Sequence, residues 1–294
     1  MTHNLGYSYR LQLDDKVAGH TTLSLLTSRF THSTEAEWAA RIREGQVLLN
    51  DKIAGEAQLL SAGMVMVWNR PGWTEEDTPQ HFEVLFEDEH LLAVSKPSGL
   101  PTLPGAGFYL NTLLSLVRSR YPTARPLHRL GRGTSGLVLF ALSSEAARGL
   151  TRNWEKVEKQ YQALGSFSAC QDEYDIRSPI GLIDHPRMGR VYAADVHGKC
   201  ARSVARPLRR CIESTLFEID LHTGRPHQIR IHLAYIGHPL VGDPLYARGG
   251  RLRDLPGLPG DLGYLLHAKR LCLEHPITHK QLEIWSAPPL ELIP

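Results

Sequence analysis

Cysteine is scarce, with four in 294 residues, and no Cys-x-x-Cys pair occurs. Cys170, Cys200, Cys211 and Cys272 are widely separated, so free thiols in a reducing cytosol are expected in place of a disulfide framework. No run approaches the ~18 consecutive apolar residues of a membrane span. The polar opening Thr2-His3-Asn4 lacks the charged-then-apolar order of a signal peptide, so a cytoplasmic chain with no membrane partner is expected. An excess of one charge is also missing: 33 Lys and Arg against 31 Asp and Glu leave +2, too little to name a partner by itself. Low-complexity tracts and fixed-period repeats are absent, and 42% apolar with 22% charged residues is ordinary globular usage, which excludes extensive disorder and solenoids.

Cores seldom grow beyond ~250 to 300 residues before splitting, so the length suits one large core plus a small extra domain. Residues 22–30 carry a helical apolar spacing behind a cap at Thr21 or Thr22, and Ser33 or Thr34 opens a second helix whose Glu35 and Glu37 suit the positive end of its dipole. Gly45 stops that helix, and short strands follow at 47–49 and 64–68. A breaker-rich segment, 71–80, reads as a linker after a module spanning 1–70. From residue 81 to 294 strand-like runs at 82–86, 91–94, 137–142, 161–165 and 216–221 dominate, interrupted by helical patterns at 110–120 and 146–157. This mixture predicts an α+β domain on a mixed or antiparallel sheet.

Charge is more telling in its distribution than in its sum. Arg118, Arg120, Arg125, Arg129 and Arg132 crowd one segment, and Lys199, Arg202, Arg206, Arg209, Arg210, Arg225 and Arg230 another. Brought together they would suit a phosphate backbone, whereas apart they would be a solvated surface paired to carboxylates. His222, His227, His232 and His238 recur at spacings that put few of them on one face, with no Cys, Asp or Glu joining them, so no metal is expected. Trp38, Trp68 and Trp73 could stack nucleobases or simply fill a core. Tyr161 lies in an apolar strand and could be structural, and Arg225 could brace its Thr-Gly turn.

Gly131, Gly133 and Gly136 surround Thr134-Ser135 just before the apolar strand 137–141, letting the backbone turn sharply and approach something closely. A nucleotide-binding glycine loop would follow a strand and open a helix, and this one precedes a strand.

His128 to Gly136 reads HRLGRGTSG and resembles the H-R-L-D-x-x-T-S-G loop of the RluA family of RNA pseudouridine synthases, with Gly131 where that family places its catalytic aspartate. Three further segments resemble the family in order: Lys96-Pro97-Ser98-Gly99-Leu100-Pro101, Lys159-Gln160-Tyr161-Gln162-Ala163, and 221–233, LHTGRPHQIRIHL, continued by 237–246. Residues 20 to 70 look like the small RNA-binding domain shared by a ribosomal small-subunit protein and tyrosyl-tRNA synthetase, although an αα-hairpin filler is the other reading. The resemblance implies a pseudouridine synthase-like fold acting as a monomer on structured ribosomal or transfer RNA without cofactor or metal. The target uridine would be flipped out of the stack, its N-glycosidic bond broken, the base rotated and C5 joined to the sugar. It also implies that Tyr161 stacks on the base, that Arg225 pairs with the aspartate, and that His128, Arg129, Arg132, Thr134, Ser135, Gly136, His227, Gln228 and Arg230 bind RNA. Gly131 leaves two readings open. One is a synthase whose carboxylate comes from elsewhere; the other is a non-catalytic RNA-binding protein, an assembly factor or chaperone, that keeps the fold. Asp243 reads as a turn residue.

Overall fold

The computed structural model describes residues 1–293 and divides them into two compact units, Met1–Glu76 and a second from Asp77 onward. In the first, Thr21 caps α1 (Thr22–Arg29): its Oγ1 accepts from the Ser24 amide at 3.2 Å, and Ser24 Oγ accepts from the Thr21 amide at 2.9 Å. Thr34 and Glu37 close α2 (Glu35–Arg43) the same way. That exchange satisfies two orphan amides at each helix start and fixes which of the adjacent hydroxyl residues is the cap. The helices pack their apolar face on a four-stranded antiparallel sheet ordered Tyr7–Gln12, Val65–Arg70, Val47–Leu49 and Lys52–Ile53. Trp38 is 1% exposed within that core, so it fills space and cannot stack a base.

The segment that reads as a linker does more than connect. Thr74–Glu75 forms a strand that pairs antiparallel with Thr2–His3, and buried Asn4 donates to buried Glu75 at 2.6 Å. Two buried polar side chains that satisfy each other tie this polar stretch down, so the division falls after Glu76.

The second unit is the α+β fold that the sequence implies. Its ten-stranded sheet runs, in spatial order, Tyr174–Ile176, Ser203–Arg210, Ser214–Leu221, Glu158–Ser166, Leu266–Glu274, Ser135–Ala141, Leu91–Lys96 and Glu83–Glu87, with Arg125–Pro126 and Gln281–Trp285 pairing at the side. Neighbours are antiparallel except Ser135–Ala141 with Leu266–Glu274, which makes the sheet mixed. Leu91 to Val94 and Leu137 to Ala141 are fully buried, which explains why those runs are apolar at every position instead of alternating. Three helices complete the unit: α3 (Leu113–Arg120), α4 (Ser144–Asn153) and α5 (Gln228–Tyr235). Thr112 caps α3, so that helix starts later than its apolar pattern, and α4 gives way at Trp154–Lys156 to a 3-10 turn.

The parallel pair sets where the glycine loop ends. Gly136 sits opposite Ala268 with φ +105°, and a Cβ there would lie 2.3 Å from the Ala268 carbonyl oxygen. Only glycine allows both the backbone angle and the approach. Gly136→Ala is expected to lower stability by about 1–3 kcal/mol or more through forced separation of the two strands. Urea unfolding of the variant checks this, and an unchanged midpoint would contradict it.

Candidate active site

The loop 127–134, the strand Glu158–Ser166, the turn 221–227 leading into α5, and residues 264–266 converge on a cavity of about 670 Å³. Its size is that of a pocket for one small ligand or one nucleoside. Arg129, Gly131, Tyr161, Arg225, Arg230 and Tyr264 contribute to its wall.

One side of the wall is built on a buried ion pair. Arg230, 2% exposed, donates from Nε and Nη2 to the two oxygens of Asp243 at 2.7 and 2.8 Å and from Nη1 to the Pro259 carbonyl at 3.1 Å. Its guanidinium lies against the rings of Tyr264 and Tyr246, 4.2 and 5.1 Å from their centroids. Asp243 also accepts the Leu245 and Tyr246 amides, so it holds a turn as its sequence setting implies, and it neutralises a buried cation as well. Bidentate, buried charge pairs of this kind fix geometry closely.

Histidines brace the remaining wall in the neutral state. His128 Nε2 accepts the Leu139 amide at 3.0 Å while its ring stacks on Trp154 at 4.9 Å, and burial pulls its pKa down to about 3. His227, in the left-handed region at φ 56°, caps α5 and bonds Tyr246 Oη through Nδ1 at 2.7 Å; burial lowers its pKa to about 3 as well. Gln228 accepts from Thr223 Oγ1 and the Arg225 amide and donates to the Arg202 carbonyl and Ser203 Oγ, locking the 223–228 turn.

Against that frame, a few groups face the cavity with spare chemistry. Tyr161 is 8% exposed, burial pushes its pKa up to about 12, and its hydroxyl has no hydrogen-bond partner among the described residues. Arg225 donates from Nε to the Cys200 carbonyl at 3.0 Å, and among the described residues no carboxylate pairs with it. Exposed Arg129 likewise has no partner among them. Glu155, exposed, is the one residue with a carboxylate among those lining the cavity. Tyr264 is 4% exposed and its Oη lies 3.4 Å from Thr134 Oγ1.

The residues singled out in the sequence therefore separate. Gly131, His128, Arg129, Thr134, Tyr161, Arg225, His227, Gln228 and Arg230 all reach the cavity wall. Gln228 and Arg230 are expected to bind RNA, yet both are buried and every side-chain nitrogen of each donates to a protein group, so they frame the pocket and do not reach out to a backbone phosphate. Arg132 turns away, donating to the Gly99 carbonyl and lying over Phe108 at 4.7 Å, and Ser135 bonds His267 at 2.9 Å. Arg225 braces its turn through the Cys200 carbonyl instead of meeting a carboxylate. Tyr264, Trp154 and Lys159 were not singled out on their own residues as lining a pocket. The spacing of Gly131 and Gly133 was the local signal for Tyr264, because a Cβ at 133 would sit 3.0 Å from that ring, but Tyr264 is far away in sequence.

A family profile described as RNA pseudouridylate synthase matches residues 90–235. An uncharacterised RNA pseudouridine synthase of Synechocystis is 39% identical over 92% of this chain and 95% of its own length. The dual-specificity RNA pseudouridine synthase RluA of Pasteurella multocida is 35% identical over 72% of this chain and 95% of its own. The ribosomal large subunit pseudouridine synthase D of Pseudomonas aeruginosa is 30% identical over 93% and 89%.

Two outcomes test the frame. Asp243→Ala leaves a buried guanidinium without its counter-ion and is expected to cost about 3–5 kcal/mol, read from chemical unfolding; a loss within error of zero would mean the pair does not hold the wall. For pH, the unfolded histidines take protons near 6.5 whereas folded His128 and His227 resist until about 3. The unfolded state therefore binds more protons in that window, and stability is greatest above ~6.5 and falls as pH drops toward 3. The urea midpoint is expected to be higher near pH 7.5 than near pH 5, and the reverse order would refute the neutral-histidine frame.

Proposed function

Because the chain belongs to the RluA family of RNA pseudouridine synthases, we propose that it isomerises uridine to pseudouridine in structured ribosomal or transfer RNA, receiving the flipped nucleoside in the cavity beside Tyr161. The observation that carries this reading is the cavity's chemistry: an unpartnered buried phenol next to two cations, Arg129 and Arg225, that no carboxylate neutralises among the described residues. A base can lie against the Tyr161 ring while its 5′ and 3′ phosphates meet the arginines, an arrangement that positions the nucleoside before any bond changes. Unmatched cations of this kind also raise the local concentration of a polyanion.

In this reading Gly131 occupies the place of the family's catalytic aspartate, and Arg225 is left free for phosphate. The first unit adds a second RNA contact. Its exposed Tyr7 meets exposed Tyr9 at 4.8 Å, Trp68 stacks on Tyr9 at 5.2 Å, and Arg41 lies over Trp68 at 4.9 Å. Aromatic faces alternating with guanidinium suit unstacked bases. A reducing, cytosolic setting, expected from four scattered cysteines with no Cys-x-x-Cys pair, is part of this reading. No helix among the described residues is long and apolar enough to cross a membrane.

Incubating the purified protein with unmodified cellular RNA and quantifying pseudouridine by mass spectrometry tests the proposal; product from the wild type is expected. Product only from Gly131→Asp would instead make the natural chain a binding protein with an intact pocket. Arg129→Ala is expected to weaken RNA binding at all sequences and reduce the slope of log affinity against log salt by about 1; an unchanged slope would remove Arg129 from the phosphate path.

A further inference from the structure

The groups around the cavity can be sorted by whether they can move a proton. His128 and His227 each have one ring nitrogen engaged, with the Leu139 amide and the Tyr246 hydroxyl, and burial holds both neutral, so neither carries a proton to give near neutral pH. Lys159 donates to the carbonyls of Trp154 and Val157. Arginines do not release protons in proteins. Glu155 is exposed on its 3-10 turn. Inside the walls that leaves the phenols of Tyr161 and Tyr264.

Tyr264 occupies a particular place. A Cβ on Gly131 would lie 3.2 Å from Tyr264 Oη and 3.6 Å from Thr134 Oγ1, and a Cβ on Gly133 would lie 3.0 Å from Cε1 and Cζ of the same ring. Neither glycine has a positive φ that would demand it, so what their missing side chains provide is room for this tyrosine. Its hydroxyl thus lies within contact distance of where a side chain from residue 131 would begin, at the wall of the cavity, and its ring lies against the guanidinium of buried Arg230 at 4.2 Å.

We propose that Tyr264 is a catalytic residue of this synthase, its hydroxyl doing from strand-side position 264 the proton work that no side chain at Gly131 can do. The inference rests on the synthase reading above. As the bond from C1′ to N1 breaks, its electron pair goes to the uracil and the Tyr264 proton goes to N1. The resulting phenolate faces the cationic C1′, and the Arg230 guanidinium against its ring stabilises the negative charge. After the base turns, the C5=C6 electron pair forms the new bond to C1′, and the C5 proton passes to the phenolate, restoring the phenol. One proton is given, one is returned, and no oxidant, reductant or second substrate is needed. Uracilate and phenolate are bases of similar strength, which is the match a shared proton requires.

Tyr264→Phe keeps the ring that fills the space of Gly131 and Gly133 and removes only the hydroxyl. Single-turnover pseudouridine formation on cellular RNA is expected to slow about 10²- to 10⁴-fold, the range for loss of a positioned acid–base group, while RNA affinity and melting temperature stay near wild type. A Tyr264→Phe rate within a few-fold of wild type would overturn the role while leaving the synthase reading intact; no product from the wild type would overturn both. Should the Phe variant melt early, a fluorotyrosine at 264 retains shape and hydroxyl but makes the phenol more acidic. The charged and titratable groups around it, Arg230, Asp243, Tyr246 and Tyr161, are unchanged, so the alkaline limb of the rate–pH profile must move to lower pH. An unmoved limb would exclude Tyr264 as the proton donor.

Discussion

A guanidinium with almost no exposed surface must keep its counter-ion, and the way Arg230 keeps Asp243 organises one whole side of the cavity. The pair joins α5 to the turn at 243–246, and the faces of the guanidinium carry Tyr246 and Tyr264. Tyr246 in turn receives His227, which begins α5 from a left-handed residue and so aims the preceding turn, with Arg225 on it, at the cavity. Desolvating two charges is expensive unless every donor and acceptor is met. Here the third guanidinium nitrogen donates to Pro259 and the carboxylate also accepts two backbone amides, so every nitrogen of the cation and both oxygens of the anion are engaged. Position is what such a network provides, and position is what phenols and arginines depend on to act on a bound nucleoside.

The opposite side rests on close backbone approach. Gly136 lies against the Ala268 backbone, joining the glycine loop to the strand that follows Tyr264. The two sides therefore meet at one residue: Tyr264 lies against the guanidinium of Arg230 from α5 and packs on the loop at Gly131 and Gly133. A methyl group at either glycine would press on its ring or hydroxyl. The absence of side chains in the loop and the presence of a tyrosine across from it are one packing solution, read from two distant stretches of chain.

Much of both units was legible because the signals are local. The fully apolar runs at 91–94 and 137–141 are central strands because both faces are buried, and the capping hydroxyls at Thr21 and Thr34 begin helices because an amide needs a partner. The strand at Thr74–Glu75 escaped a local reading because its stability comes from Asn4, at the other end of the first unit. For the site, Gly131, Tyr161 and Arg225 could be singled out from motif order. The fates of Gln228 and Arg230 could not, since an RNA-facing arginine and a buried one look identical until Asp243 and the two tyrosines are folded around it. Tyr264 was beyond reach for the same reason, being placed by the parallel strand pair and not by any neighbour in sequence.

The central claim is that this pocket takes a flipped uridine between Tyr161 and Tyr264 and works on it with phenols and arginines. A structure of the protein bound to an RNA carrying an unreactive uridine analogue at the modified position tests it most directly. The account requires the nucleoside in the cavity, its base on the Tyr161 ring, its N1 side within hydrogen-bonding reach of Tyr264 Oη at ~3 Å, and flanking phosphates on Arg129 and Arg225. RNA bound elsewhere on the surface with the cavity empty, or a nucleoside whose reacting atoms face away from Tyr264, would contradict it.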